Sequence, residues 1–185
     1  MKAPERFDTS RLILRRPMRD DAEAVFARYS SDGEVTKYLG WPRHQSLEDT
    51  NVFLAFSDAE WDRWPGGPYL IESRSGRKLL GSTGFAFEST TVASTGYVIA
   101  RDAWGLGYAT EALTAVVSIA QSLGVGRLCA LCHQDNPASI HVLEKCDFRL
   151  ENLLKNYAVF PNLGLGKRED CLRYARIFAS SQVVA

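Results

Sequence analysis

The fold of this chain is decided by a short central stretch, Trp104-Gly105-Leu106-Gly107-Tyr108-Ala109-Thr110-Glu111-Ala112. Two glycines within three positions let the backbone turn sharply and come close to a ligand. The residues that follow open a helix, whose first N–H groups lack partners within the helix and carry the positive end of its dipole. The stretch therefore predicts a cradle for an anion such as a pyrophosphate.

An amphipathic helix follows this glycine turn. Its apolar residues recur at steps of three and four positions, the spacing of one helix face. Gly124 marks the end of the helix, and the apolar run Arg127–His133 predicts a buried strand after it. With a further strand predicted over residues 91–100, the local unit is strand, glycine turn, helix and strand. The apolar positions of the helix are Ala109, Ala112, Leu113, Val116, Ala120 and Leu123.

Strands and helices alternate over the rest of the chain. Periodicity predicts helices over Asp20–Tyr29 and Leu47–Trp61, and the break Arg63–Pro68 reads as a loop within one domain. Such an alternation favours an α/β or α+β fold. The remaining strands are predicted near Arg11–Arg16, Tyr69–Glu72 and Lys78–Phe87, with two more beyond Phe148. With Arg127–His133 and the strand before the glycine turn, near Val92–Ala100, seven strands are predicted.

The composition limits the number of domains and the classes of partner that this chain can have. A chain of 185 residues with 45% hydrophobic and 24% charged residues suits a single folded domain, here residues 1–185. The formal net charge is zero, so no global field attracts nucleic acid or a membrane surface. No run approaches the ~18 apolar residues of a spanning helix, and the N-terminus lacks a signal-peptide pattern. We expect a cytoplasmic enzyme.

Three kinds of phosphate-binding loop compete for the glycine turn. The dinucleotide fingerprint Gly-x-Gly-x-x-Gly fails because position 110 is Thr, and the P-loop fails because no Gly-Lys-Ser/Thr follows. The stretch instead resembles the acyl-CoA loop of the GCN5-related N-acetyltransferases (GNAT), Gln/Arg-x-x-Gly-x-Gly/Ala. Trp104, Gly107 and Ala109 occupy its first, fourth and sixth positions.

The tryptophan departs from the general pattern but is similar to the branch of the ribosomal-protein N-terminal acetyltransferases (RimJ/RimL-like). The resemblance extends to Thr9–Arg15 as the opening strand, to Asn136 and Ser139 in an Asn-x-x-Ser helix, and to Gly166–Lys167 in a final hairpin. It implies a GNAT-like mixed, twisted sheet of about seven strands, with helices on both faces and splayed central strands. It also implies an N-acetyltransferase that moves an acetyl group from acetyl-CoA to a primary amine by direct attack.

The resemblance assigns acetyl-CoA to the splayed strand and the glycine turn. Backbone groups of Tyr97, Val98 and Ile99 would pair with the pantetheine arm; the same residues also fit an ordinary core strand. In the turn, Thr110 equally suits a helix cap and Tyr108 a packing role. The expected cofactor contacts are Tyr97, Val98, Ile99, Gly105, Leu106, Gly107, Tyr108, Ala109, Thr110 and Asn136.

Ser139 is the catalytic candidate, because the matching serine in the ribosomal-protein acetyltransferases is proposed to protonate the thiolate of CoA. Alternatively, Ser139 is an ordinary serine in the first turn of a helix, with no catalytic role. Asn136 followed by Pro137 is a helix start in its own right, which makes capping one role of Asn136. Asp147 stands where relatives usually have glycine, in a left-handed position that Asp tolerates.

The general base and the acceptor are the least defined parts. Ser94 occupies the position at which many relatives carry Glu, so that Glu72, Glu88 or a water chain would have to serve instead. An α-amine, with a pKa of ~7.7 to 8.0, needs a base less than a lysine does at ~10.4, which favours α-amines as acceptors. Ser94, Tyr38 and Trp41 are the candidate acceptor contacts; the two aromatic residues equally suit packing.

Two further functions remain open. The missing glutamate is compatible with an acyl-CoA-binding protein that senses or scaffolds without turnover. Cys129-x-x-Cys132-His133 has the spacing of haem attachment or half a zinc site, but residues three apart on a strand point to opposite faces. We therefore expect buried core cysteines and no metal.

The partners expected are acetyl-CoA and an amine acceptor, with no nucleic acid and no membrane. The protein is expected to be a monomer or a homodimer.

Overall fold

The computed structural model describes residues 1–164 and 166–178, so the domain predicted over residues 1–185 extends beyond the described part. One mixed sheet of eight strands forms its centre, in the order β1-β2-β3-β4-β5-β6-β8-β7. Only β5 and β6 are parallel neighbours. The strands are β1 (Arg6–Asp8), β2 (Leu12–Arg15), β3 (Pro68–Ser73), β4 (Leu79–Phe87), β5 (Val92–Ile99), β6 (Arg127–His133), β7 (Arg149–Val159) and β8 (Arg168–Ile177).

The predicted α/β fold with a mixed sheet is confirmed. The sheet has one strand more than the seven that we predicted, because β1 pairs with β2 at the edge. This strand is only three residues long, Arg-Phe-Asp, too short for an alternating pattern to be recognised.

Helices lie on both faces of the sheet. Leu113 of α4 and Leu143 of α5 belong to the larger core on one face, while Val25 of α1 and Val35 of α2 pack on the other face with Phe53 of α3. No helix among the described residues is both long and apolar enough to cross a membrane. The helices are α1 (Ala22–Val25), α2 (Gly33–Thr36), α3 (Leu47–Arg63), α4 (Tyr108–Ser122) and α5 (Pro137–Lys145).

The helix predicted over Asp20–Tyr29 is divided into shorter pieces. A 3-10 turn precedes α1, and a π-helical turn over Phe26–Ser30 follows it. The hydroxyl of Ser30 donates to the carbonyl of Val25, and that of Ser31 to the carbonyl of Phe26 at 2.7 Å. Both bonds span five residues, so the side chains satisfy carbonyls at the end of the helix and favour the wider turn.

The parallel strands β5 and β6 separate toward their C-terminal ends. They pair at only three positions, from Val92 opposite Arg127 to Ser94 opposite Cys129. Beyond these pairs β5 runs on to Ile99 and β6 to His133 without a shared ladder. A 3-10 turn then leads from β5 into the glycine turn and α4. The gap between the strands and the start of α4 therefore lie side by side.

Candidate active site

The glycine turn takes a conformation that depends on its two glycines. Gly105 and Gly107 have φ angles of 73° and 77°, a left-handed region that glycine adopts without the steric cost of a Cβ atom. Gly107 caps α4 and has no side chain to bond the first N–H groups of the helix. These donors remain available to an anionic ligand, beside the exposed Leu106. Trp104 anchors the turn, because its indole N–H donates to the Ile99 carbonyl at 2.7 Å.

A carboxylate in the first turn of α4 joins the glycine turn to the beginning of β2. Glu111 accepts from the hydroxyl groups of Thr9 (2.6 Å) and Ser10 (2.9 Å), and from the backbone N–H and the Nε of Arg11 (2.9 and 2.6 Å). Arg11 also donates to the Leu106 carbonyl at 2.9 Å. We call Thr9, Ser10, Arg11 and Glu111 the Glu111 latch.

Electrostatics within the latch favour the charged form of Glu111. Partial burial acts to raise the pKa of this carboxyl, but the hydrogen bonds from Thr9 and from the backbone and side chain of Arg11 outweigh it and lower the pKa to about 2. The guanidinium of Arg11 stacks over the Tyr108 ring, 4.7 Å from its centre. The latch thus fixes the glycine turn through contacts about 100 residues apart in the chain.

A pair of hydroxyl groups lies between β5 and α5. The hydroxyl group of Tyr97 lies 2.9 Å from the Ser139 hydroxyl and donates to the Ser139 carbonyl at 3.0 Å. Burial raises the pKa of Tyr97 above its usual value, although the hydrogen bond with Ser139 opposes the rise. Tyr97 is therefore a protonated neighbour of Ser139.

Asn136 places Ser139 in the first turn of α5. Its side-chain oxygen accepts from the backbone N–H of Ser139 at 3.2 Å, with Pro137 at the first helical position. The capping role that the sequence predicts is thus present.

The comparisons with known proteins agree with this geometry. The model of the acetyltransferase (GNAT) domain matches residues 11–149, which is most of the chain. The chain belongs to the GNAT acetyltransferase family. The uncharacterized N-acetyltransferase YoaA of Bacillus subtilis (strain 168) is 37% identical over 153 residues, covering 81% of this chain and 86% of the relative. The chain is accordingly an N-acetyltransferase.

Solved structures share the fold. The GNAT-family acetyltransferase from Bacillus anthracis has a TM-score of 0.80 at 25% identity, covering 93% of this chain and 98% of its own. RimL, a ribosomal L7/L12 α-N-protein acetyltransferase solved in complex with coenzyme A, has a TM-score of 0.80 at 23% identity, covering 95% and 97% of the two chains. The resemblance to GNAT proteins noted in the sequence is confirmed.

The strand residues of this acetyltransferase fit both roles considered for them. The side chain of Val98 is buried with Val25 and Leu70 in the smaller core. On the side of β6, however, the backbone of Tyr97–Ile99 has no strand partner, because pairing ends at Ser94. These residues can pack in the core and still offer backbone groups to a ligand in the gap.

The acceptor candidates are not brought together in one cluster. Tyr38 stacks on His133, with ring centres 5.0 Å apart, whereas Trp41 contacts His44 at 5.1 Å. Ser94 lies near the start of β5, where its hydroxyl donates to the Ala86 carbonyl at 3.4 Å.

Glu72 occupies another part of the acetyltransferase. This buried carboxylate on β3 is paired with Arg15 at 2.6 Å and with Arg77 at 3.0 Å. Both carboxylate oxygens of Glu72 are therefore engaged in ion pairs with arginines. Glu88 lies just after β4, at the turn into β5.

His133 is a functional candidate that sequence reasoning missed. Its Nδ1 accepts from the backbone N–H of Asp135 at 3.1 Å, so the neutral ring carries its hydrogen on Nε2. The ring is buried between Tyr38 and Phe160, and Nε2 has no hydrogen-bond partner among the described residues. Its signal in the sequence is a single histidine at the end of a predicted strand, within the Cys129-x-x-Cys132-His133 spacing.

The cysteines of that spacing point to opposite faces, as predicted. Cys132 is buried, and burial raises the pKa of its thiol to about 11. The prediction of a buried core position is wrong for Cys129, which is only partly buried and lies outside the main core. Within the part of the chain that the structure describes, no three His, Cys, Asp or Glu side chains are grouped as metal ligands.

Proposed function

We propose that this acetyltransferase transfers the acetyl group of acetyl-CoA directly to a primary amine, and that a protein N-terminal α-amine is its acceptor. One observation carries the proposal. The glycine turn and the gap between β5 and β6 meet beside the Tyr97–Ser139 hydroxyl pair. A turn suited to the pyrophosphate, a gap between strands suited to the pantetheine arm and a proton donor for the thiolate would thus be adjacent.

The residues present fit acetyl-CoA. Gly105 and Gly107 leave the first N–H groups of α4 free to bind the pyrophosphate, and the Glu111 latch holds the turn in place. Backbone groups of Tyr97–Ile99 would pair with the amides of the pantetheine arm in the gap. When bound, acetyl-CoA supplies a thioester carbonyl that an amine attacks.

Ser139 and Tyr97 would supply the proton for the departing thiolate. The Ser139 hydroxyl would give its proton to the departing thiolate while the Tyr97 hydroxyl, 2.9 Å away, passes a proton to Ser139. The proton that the attacking amine loses when the amide forms would then return, through solvent, to Tyr97. Because burial raises the pKa of Tyr97, this group remains protonated throughout the physiological pH range.

The absence of a glutamate at position 94 favours an amine of low basicity. The Ser94 hydroxyl is a poor base, and Glu72 is engaged by two arginines. An α-amine with a pKa of ~7.7 to 8.0 is substantially neutral near pH 7.5, whereas a lysine amine at ~10.4 is almost wholly charged. The similarity to RimL, a ribosomal L7/L12 α-N-protein acetyltransferase, supports the same acceptor class.

The test is release of the CoA thiol from acetyl-CoA with a panel of amines. The panel contains peptides with free α-amines, the same peptides with blocked N-termini and one free lysine, and small polyamines. We expect turnover with the free α-amines that rises with pH between 7 and 8. Turnover only with lysine or polyamine substrates would contradict the proposed acceptor, and absence of transfer to any amine would contradict the proposed reaction.

A further inference from the structure

The sheet face that an acceptor would approach is only partly covered by helices. Side chains alternate between the two faces of a strand. Cys132 and Tyr174 belong to the core beneath α4 and α5. Leu131 and Arg173, their chain neighbours, therefore point to the opposite face, where His133 stacks against Tyr38. There Leu131 is 48% exposed, although it lies on an interior strand of the sheet.

Leu131 borders the gap between β5 and β6. The last pair before the gap is Ser94 opposite Cys129, so Gly96 and Leu131 each lie two residues further along, on its two sides. Gly96 is exposed, and a Cβ atom placed there would meet nothing within 4 Å. The next residue, Tyr97, contacts the Ser139 hydroxyl. An amine approaching the gap on this face therefore passes over Gly96 and Leu131.

Arg173 is a cation on the same face, one strand further from the gap than Leu131. It is the register partner of Leu131 on β8, and neighbouring strands are about 4.8 Å apart. Its guanidinium lies 5.7 Å from the centre of the Tyr157 ring and donates to the Tyr157 hydroxyl at 3.4 Å. Among the described residues, no carboxylate lies within 4.0 Å of Arg173. Glu169, further along the same face of β8, is paired with Lys167 at 3.3 Å.

We propose that the amine acceptor carries a carboxylate a few bonds from its amine, and that Arg173 binds this carboxylate. The proposal rests on the acetyl transfer proposed above. The Tyr157 ring holds the planar guanidinium by stacking, which leaves N–H donors for two parallel hydrogen bonds to a carboxylate. Leu131 would contact the carbon atoms between the amine and the carboxylate. A peptide with Asp or Glu as its second residue and a free amino acid both belong to this class.

Matched acceptors test the proposal. CoA release is measured with a peptide whose second residue is Asp and with the same peptide carrying Asn, and likewise with a free amino acid and its carboxamide. In at least one of the two pairs we expect the acid to have a KM lower by about tenfold, with a similar kcat, since a charged contact away from the thioester changes binding more than chemistry. The pair that shows the preference identifies the source of the carboxylate.

Substitutions at Arg173 assign the preference to this side chain. In Arg173→Gln the acid and amide acceptors should have equal KM values, while the Kd for acetyl-CoA and the Tm stay at wild-type values. Arg173→Lys should keep part of the preference because the charge remains. Arg149→Gln removes an exposed arginine from the neighbouring strand β7 and should keep the full preference.

Four outcomes overturn the proposal. Equal KM values for the acid and the amide in both pairs show that no carboxylate is recognised, even though acetyl transfer stands. A preference that survives in Arg173→Gln assigns the carboxylate to another group. An equal loss in Arg173→Gln and Arg149→Gln indicates general charge attraction. No transfer to any amine removes the proposed function and this proposal with it.

Discussion

The hydroxyl of Tyr97 lies 2.9 Å from the hydroxyl of Ser139, and this contact joins β5 to the first turn of α5 across 42 residues of sequence. Neither group has a charged partner in that contact. Burial raises the pKa of Tyr97, so the pair holds its protons at physiological pH and is suited to protonating a leaving thiolate.

Removing either hydroxyl should slow acetyl transfer. We expect Ser139→Ala to lower kcat by about a hundredfold or more, and Tyr97→Phe by a smaller factor, with the Kd for acetyl-CoA nearly unchanged. Because the two groups act as a unit, the double variant should be no slower than Ser139→Ala alone. Steady-state kinetics and calorimetry measure these quantities. Ser118→Ala is the control, since this exposed helical hydroxyl only donates to Thr114; fully additive losses in Ser139 and Tyr97 would contradict a shared role.

The left-handed conformation of Gly107 should limit acetyl-CoA affinity. A Cβ atom at φ 77° costs about 1 to 2 kcal/mol, so Gly107→Ala should shift the turn and weaken binding by roughly tenfold. Gly107→Asn should weaken it less, because Asn tolerates this conformation. Gly124→Ala carries a similar strain, at φ 76°, beyond the other end of α4. It should lower the Tm and leave the Kd unchanged; loss of affinity in Gly124→Ala as well would mean that general destabilisation explains the effect.

The Glu111 latch should make stability depend on pH. The folded pKa of about 2 lies below the ordinary value of 4.5, so the latch contributes stability above about pH 4.5 and loses it as the pH falls toward 2. Glu111→Gln should therefore lower the free energy of unfolding by roughly 2 kcal/mol at pH 7, with little difference from wild type near pH 2. Urea unfolding at a series of pH values measures this. Glu48→Gln, an exposed first-turn acid of α3, should change little at any pH; an effect of Glu111→Gln that is independent of pH would contradict the ionic origin.

Asn162 should hold the loop after α2 against the connection between β7 and β8. Its amide nitrogen donates to the carbonyls of Thr36 at 2.7 Å and Trp41 at 2.9 Å, and its oxygen accepts from the backbone N–H of Arg43 at 2.7 Å. Asn162→Ala removes all three bonds, each worth about 1 kcal/mol.

The expected result is a lower Tm and a KM for the amine raised several-fold, because Tyr38 lies on the segment that Asn162 holds and stacks on His133 beside the acceptor face. The Kd for acetyl-CoA should not change. Asn152→Ala, an exposed position on β7, serves as the control. An unchanged amine KM in a folded Asn162→Ala protein would separate this loop from acceptor binding.

Much of the fold could be predicted from the spacing of residues close together in the sequence. The three- and four-residue steps between Ala109 and Leu123 indicated α4, and the pair Gly105 and Gly107 indicated a sharp turn before it, whose left-handed φ angles the structure then showed. Asn136 followed by Pro137 indicated the start of α5 in the same way. Such features are readable because they depend on residues within one or two turns of each other. The strand β1 was not predicted, because three residues are too few to show an alternation of apolar and polar side chains.

The sequence by itself determined the glycine turn before α4, the serine three positions after its helix cap and the family to which the chain belongs. Only the tertiary structure decided which distant groups meet: Glu111 with Arg11, Tyr97 with Ser139, and Leu131 with Arg173. The physical reason is that side-chain and backbone preferences act over a few residues, whereas these contacts depend on strand register and on the packing of helices against the sheet. A shift of one residue in that register would turn Arg173 to the other face of the sheet.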